Sequence, residues 1–154
     1  MKKKLKFGAT SFVFVMVVLA IISSCTHRKE NWNGHAIKRP GEYFMKDKDL
    51  KIQVWDDEDG IINYCVTKSE ADTLIRSPKE INISAYHEWI LVWDEKDRLW
   101  VESSDVGGYF WLKDSLTSRY EQKDFLTDSL LVKDIPKEIF ELLPKNIQEK
   151  LSAE

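Results

Sequence analysis

Few nucleophiles, bases or metal ligands stand close enough together in this chain to do chemistry. Cysteine occurs twice, at Cys25 and Cys65. Histidine occurs three times: His27 and His35 lie in a polar stretch, and His87 stands alone. Zinc needs nitrogen or sulfur donors at short, defined spacing, and the sequence offers no such set. Asp56-Asp57-Glu58-Asp59-Gly60 invites a calcium reading. With Gly60 at the sixth loop position, however, Trp55 takes the first ligand position and Val66 the twelfth, so the EF-hand pattern fails. The cluster reads instead as a solvated hairpin turn. There is no Gly-x-Ser-x-Gly elbow and no phosphate-binding loop. No metal, cofactor or catalytic residue is therefore expected. Cys65 could be paired with His87 as a dyad, but it sits in the β-prone run Ile61-Ile62-Asn63-Tyr64-Cys65-Val66. A thiol there reads as a small buried hydrophobe.

The aromatic residues offer binding chemistry instead. The chain has six tryptophans, and Trp55, Trp93, Trp100 and Trp111 lie in or beside β-prone runs flanked by acids. Exposed rings beside carboxylates bind sugars, whereas buried rings simply fill the core of a small β domain. Both readings apply here. Trp100 and Trp111 flank a glycine-rich turn, so they are the platform candidates, with Asp105 and Tyr109 beside them. The segment Ser103-Ser104-Asp105-Val106-Gly107-Gly108-Tyr109-Phe110 is similar to the Asp-box of sialidases and other propellers, Ser-x-Asp-x-Gly-x-Thr-Trp. Ser103, Asp105 and Gly107 match, while Tyr109 stands for Thr and Phe110 for Trp. That motif folds outer hairpins and is not catalytic, so the resemblance implies a turn and not a sialidase. A glycan hydrolase would need two acids, such as Asp94 and Asp105, about 5–10 Å apart in one cleft.

Cys25 acquires a role from what precedes it. Lys2, Lys3, Lys4 and Lys6 are followed by an unbroken apolar run from Phe12 to Ile22, then Ser23-Ser24-Cys25. The run is the length of a signal-peptide core and too short to span a bilayer, which takes about 20 residues. Ile22-Ser23-Ser24-Cys25 resembles the lipobox of bacterial lipoproteins. The resemblance implies a diacylglyceryl thioether on Cys25, cleavage before it, and attachment to the membrane through the lipid. One acyl chain holds only marginally, whereas two or three anchor firmly. Thr26, where Asp would favour inner-membrane retention in enteric bacteria, leans by the same resemblance towards the outer membrane. A plain signal peptide and an uncleaved anchor are the alternatives, and without lipid a Cys25–Cys65 disulfide becomes natural.

Four of the 23 basic residues and none of the 26 acids fall within residues 1–24, so the mature chain carries a formal charge of about −7. An acidic surface argues against nucleic acid and against a basic membrane-binding face. Residues 25–41 are polar without a clear period and read as a lipidated tether. Residues 42–154 read as one domain.

Its elements follow from pattern. Lys51-Ile52-Gln53-Val54-Trp55 alternates, and with the run after Gly60 it reads as a hairpin. Val92-Trp93-Asp94-Glu95-Lys96-Asp97 repeats Val54-Trp55-Asp56-Asp57-Glu58-Asp59 after 38 residues, which predicts a second hairpin of one meander. Trp89-Ile90-Leu91-Val92-Trp93 is apolar throughout and reads as a central strand. Ile81-Ile83 and Tyr109-Leu112 complete the strand set, the latter as the last strand. Asn82-Ile83-Ser84 forms a sequon with no expected meaning in a bacterium. Asp134 reads as the N-cap of a helix to Leu143, with Pro136 in its first turn, and a further helical turn over 146–151 follows. The expected fold is mainly β (α+β): an antiparallel sheet or meander of five or six strands with one or two short C-terminal helices. The expected role is a membrane-anchored envelope lipoprotein whose β domain binds a protein or glycan partner. An inhibitor or immunity-type lipoprotein facing a basic partner is the alternative, ahead of a cell-wall glycan hydrolase.

Overall fold

A computed structural model describes residues 29–31, 36–68, 72–125 and 134–152. The signal sequence and Cys25 lie outside these residues. The described residues form ten strands and two short helices, the mainly antiparallel β fold with C-terminal helices that the sequence pattern predicts. The first sheet contains β1 (Lys29–Asn31), β2 (Gly41–Met45), β3 (Leu50–Asp56), β4 (Ile61–Lys68) and β5 (Asp72–Arg76) in that order, and β6 (Ile83–Ser84) also pairs with β4. The second sheet runs β7 (Trp89–Trp93), β8 (Leu99–Ser103), β9 (Tyr109–Lys113), β10 (Tyr120–Asp124). Among the described strands only the β1–β2 pair is parallel. The helices are α1 (Lys137–Phe140) and α2 (Lys145–Ser152).

Alternation of side chains decides the layering. Ile52, Val54, Ile62, Tyr64 and Val66 of the first sheet share one core with Leu91, Trp93, Leu99, Val101 and Tyr109 of the second. The alternate residues of the second sheet, Ile90, Val92, Trp100 and Phe110, form another core with Phe125, Ile139 and Leu143. The second sheet is thus covered on both faces, by the first sheet and by the C-terminal helices. That explains the apolar run of β7: its layer is central, although β7 is hydrogen-bonded within the sheet only to β8.

Aspartates open three hairpin turns. Asp57 Oδ1 accepts from the Asp59 and Ile61 N–H groups at 3.1 and 2.9 Å. Asp94 Oδ1 accepts from Lys96 and Arg98, each at 2.9 Å. Asp114 Oδ1 accepts from Leu116 and Thr117. Each turn then needs a left-handed residue, supplied by Gly60, Asp97 and Ser118. The turn geometry therefore matches Asp57 to Asp94, one residue off the match of Asp56 to Asp94, and the two hairpins belong to different sheets.

The folded body reaches back into the stretch read as a tether. Ile37 is 1% exposed and exchanges hydrogen bonds with Leu91 at 2.8 and 3.0 Å. At the other end, Asp134 is not a helix N-cap. Pro136 takes that position without a side-chain bond, and the Asp134 carboxylate pairs with Lys96 instead.

Candidate functional site

Glu102 is the residue that local rules explain least. Strand β8 places it two positions beyond Trp100, on the face that points towards the helices. It is only 4% exposed, and its Oε2 has no hydrogen-bond partner among the described residues. A buried polar atom without a partner costs about 1–3 kcal/mol, more when charged. Burial pushes the carboxyl up to about 7, because low polarity disfavours the ionised form.

The neighbouring glycine makes room for it. A Cβ built on Gly108 would sit 2.0 Å from Glu102 Oε2 and 3.0 Å from the Phe125 ring. Any larger residue at 108 would displace the carboxyl. Gly107 serves differently, adopting the left-handed φ of +79° that closes the β8–β9 turn. Glu102 thereby faces a cavity of about 500 Å³, closed on the far side by Leu142, Leu143, Pro144 and Ile147 at the junction of α1 and α2. Phe125 lines one wall, and Asp124, an exposed residue, lies at the rim. The size lies within the usual range for a small-ligand cavity.

A second crevice, of about 740 Å³, runs between the β2–β3 turn and the β7–β8 turn. Its cations are matched internally. Lys48 pairs with Asp97, Lys96 with Asp134, and Arg98 Nε donates to Asp94 Oδ2 at 2.6 Å. Trp100 Nε1 donates to the same Asp94 oxygen at 2.7 Å, with the Arg98 guanidinium over its ring at 4.7 Å. These contacts bind the turn to the core and engage the crevice's cations, while Asp47, Glu95 and Glu138 leave its lining with acids in excess.

The candidates named from sequence distribute unevenly. Trp100 is fully buried, stacked on Phe110 at 4.6 Å, and presents no face to a ligand. Tyr109 is buried between the sheets, where its hydroxyl meets that of Tyr64 at 2.9 Å. Trp111 is half-buried and donates to the Tyr64 hydroxyl at 2.9 Å. Trp93 is also buried, so of the four tryptophans weighed as a platform Trp55, 39% exposed, is the most open and Trp111 is partly open. Trp100 and Tyr109 are core because alternation along β8 and β9 sends them into layers covered on both sides. Asp105 is a structural acceptor: Ser103 Oγ donates to one oxygen, and the Ser84 N–H to the other at 2.9 Å. Burial raises its carboxyl, but these bonds outweigh that and hold it below the ordinary value. His87 Nδ1 lies 3.6 Å from the same carboxylate and is half exposed. Ser103 Oγ therefore donates to the Asp105 carboxylate and not to the His87 imidazole, so the three do not form a nucleophilic triad.

Asp94 and Asp105 sit in the turns at opposite ends of β8, a five-residue strand. At roughly 3.3 Å per residue the turns are separated by about 17 Å, too far for a paired-acid mechanism. Cys65 corrects the core reading. Ile62, Tyr64 and Val66 take the inward positions, so Cys65 falls on the outer face of the first sheet, half-buried and unbridged. Its polar neighbour is Gln53 Oε1 at 3.9 Å, not His87. Burial raises its thiol above the usual value. Among the described residues no group of His, Cys, Asp and Glu could hold a metal ion.

Glu102 was not singled out from sequence. The available signal was its register: an acid two residues after Trp100 in a strand whose two faces are both apolar. Comparison with protein-family models, curated proteins and solved structures returns no match.

Proposed function

We propose that this chain is a lipid-anchored protein of the bacterial cell envelope, tethered through Cys25, whose β-rich body is a non-enzymatic interaction module. The Glu102 cavity is where it receives its partner. One observation carries the binding part: an apolar cavity whose wall holds a single buried carboxyl with an oxygen left unmatched by the protein itself. Native structures rarely leave such a group without a reason. A ligand donor in the cavity supplies one. The separation of Asp94 from Asp105 counts against that pair as the two acids of a hydrolase. The anchor is supported by the lysine-rich start, the short apolar run and Ser23-Ser24-Cys25.

The anchor is tested by fractionating bacteria that express the full-length chain or its Cys25→Ser variant. The parent protein should sediment with membranes and gain the mass of a diacylglyceryl group after loss of residues 1–24. The variant should appear in the soluble fraction. An unmodified N-terminus on the parent, or equal sedimentation of both, overturns the anchor.

A further inference from the structure

We infer that the Glu102 cavity takes a primary ammonium group carried on an apolar stem. The ammonium pairs with the Glu102 carboxyl, and the stem lies against Phe125, Leu142, Leu143 and Ile147. This inference rests on reading the cavity as the binding site and adds the chemical class of what enters it.

Three observations converge. First, the Glu102 carboxyl lines the cavity and its Oε2 lacks a donor among the described residues, so the group can pair with a cation without displacing an existing bond. Second, among the described residues no lysine, arginine or histidine lines the cavity. The β8–β9 loop contributes Ser103, Ser104, Val106 and glycines, and the helical side contributes leucines, Pro144, Asn146 and Ile147. Among the described lining residues the one other ionisable group is Asp124, itself an acid. An anionic ligand would therefore meet like charge and no counter-ion, and a purely apolar one would leave the carboxyl unmatched. Third, the wall facing Glu102 is aliphatic, which suits a methylene stem.

Proton balance gives the signature. When the carboxyl starts protonated, its O–H proton passes to the buffer as the ammonium binds, and no covalent bond to carbon forms or breaks. Affinity then rises with pH until Glu102 is fully ionised. With the carboxyl at about 7, binding at pH 8 should be about a hundredfold tighter than at pH 5. A primary amine with a pKa near that of lysine, about 10.4, stays charged throughout.

The test uses the full-length protein in detergent, titrated calorimetrically with n-hexylamine, n-hexanol, n-hexanoate and a lysine blocked at both backbone ends. Hexylamine should bind, follow the predicted pH dependence, and release a proton at pH 5 in buffers of different ionisation enthalpy. Glu102→Gln should reduce its affinity to that of hexanol, and Ile147→Trp should fill the cavity and abolish binding. Blocked lysine behaving like hexylamine supports a partner's side chain as the source; binding of hexylamine alone supports a free small amine. Hexanol or hexanoate matching hexylamine at pH 8 overturns the ammonium assignment while leaving the cavity a binding site. No binding by any probe overturns both.

Discussion

Glu102→Gln should stabilise this protein, and by an amount that depends on pH. In the folded state the carboxyl holds its proton up to about pH 7, against an ordinary value of 4.5. Between these values the folded chain keeps a proton that the unfolded chain has already released. The favourable contribution is therefore fully present below about pH 4.5 and is lost as pH rises through 7. At about 1.4 kcal/mol per unit, the parent is about 3 kcal/mol less stable at pH 8 than it would be with a neutral group in the same place. Glutamine is such a group, with nearly the same shape. The variant should gain about 3 kcal/mol at pH 8 and under about 1 kcal/mol at pH 5.

Urea denaturation followed by tryptophan fluorescence at the two pH values reads this directly. For a slope of about 1.5 kcal/mol/M, the midpoint should rise by roughly 2 M at pH 8. Other acids titrate in the opposite sense. Asp57 and Asp114 are held below the ordinary carboxylate value, first by the N–H groups of Ile61 and Thr117 respectively. Their contribution is present above 3.8 and lost as pH falls below it. Both chains share that loss, so the difference between them isolates position 102. A variant less stable than the parent at pH 8, or a gain independent of pH, would refute the reasoning, because either result requires a partner for Oε2.

Three further substitutions test the supporting structure. Asp94→Ala leaves Arg98 Nε and Trp100 Nε1 without their shared acceptor; loss of a buried pair should cost about 3–5 kcal/mol, seen as a lower urea midpoint. Tyr64→Phe removes the acceptor of Trp111 Nε1 and the partner of the Tyr109 hydroxyl, and calorimetric melting should show a loss of about 1–3 kcal/mol. Trp100→Ala should destabilise by about 3–5 kcal/mol and broaden the melt, whereas an unchanged melting temperature would return Trp100 to the surface.

Strand periodicity made most of the β architecture legible. The alternation in β3 and the acidic, glycine-ended break after it give the hairpin directly, and the apolar run of β7 announces burial on both faces. Three features did not show. Strand β10 reads Tyr-Glu-Gln-Lys-Asp, and as an edge strand, exposed or half-buried throughout, it carries no apolar signature. Ile37 is a single apolar residue in a polar stretch, and only its pairing with Leu91 reveals that it is core. The division into two sheets depends on which strands meet in space, and two similar hairpins look the same in sequence whether they share a sheet or face each other. The aromatic candidates misled for a related reason. A tryptophan beside a glycine-rich turn has the same local sequence whether its strand face is open or covered, and here α1 and Phe125 cover it.

The same covering layer creates the site. A two-sheet sandwich would leave the outer face of β7–β9 exposed, and an acid there would be solvated and unremarkable. Here Ile139 and Leu143 lie over Ile90, Val92 and Trp100, closing that face near its centre. Towards the β8–β9 turn, Gly108 offers no side chain to meet the helices and β10 gives way to Phe125. The layers part there, and Glu102 lines the gap opposite an apolar wall. The carboxyl is thus buried by the helices and left unmatched by the glycine. Replacing Gly108 with alanine should drive the side chain out of its present position and return its carboxyl towards the ordinary value. Carbon-detected NMR titration of the Glu102 carboxyl would follow that return; a carboxyl that still titrates near 7 in Gly108→Ala would mean that the glycine does not hold the site open.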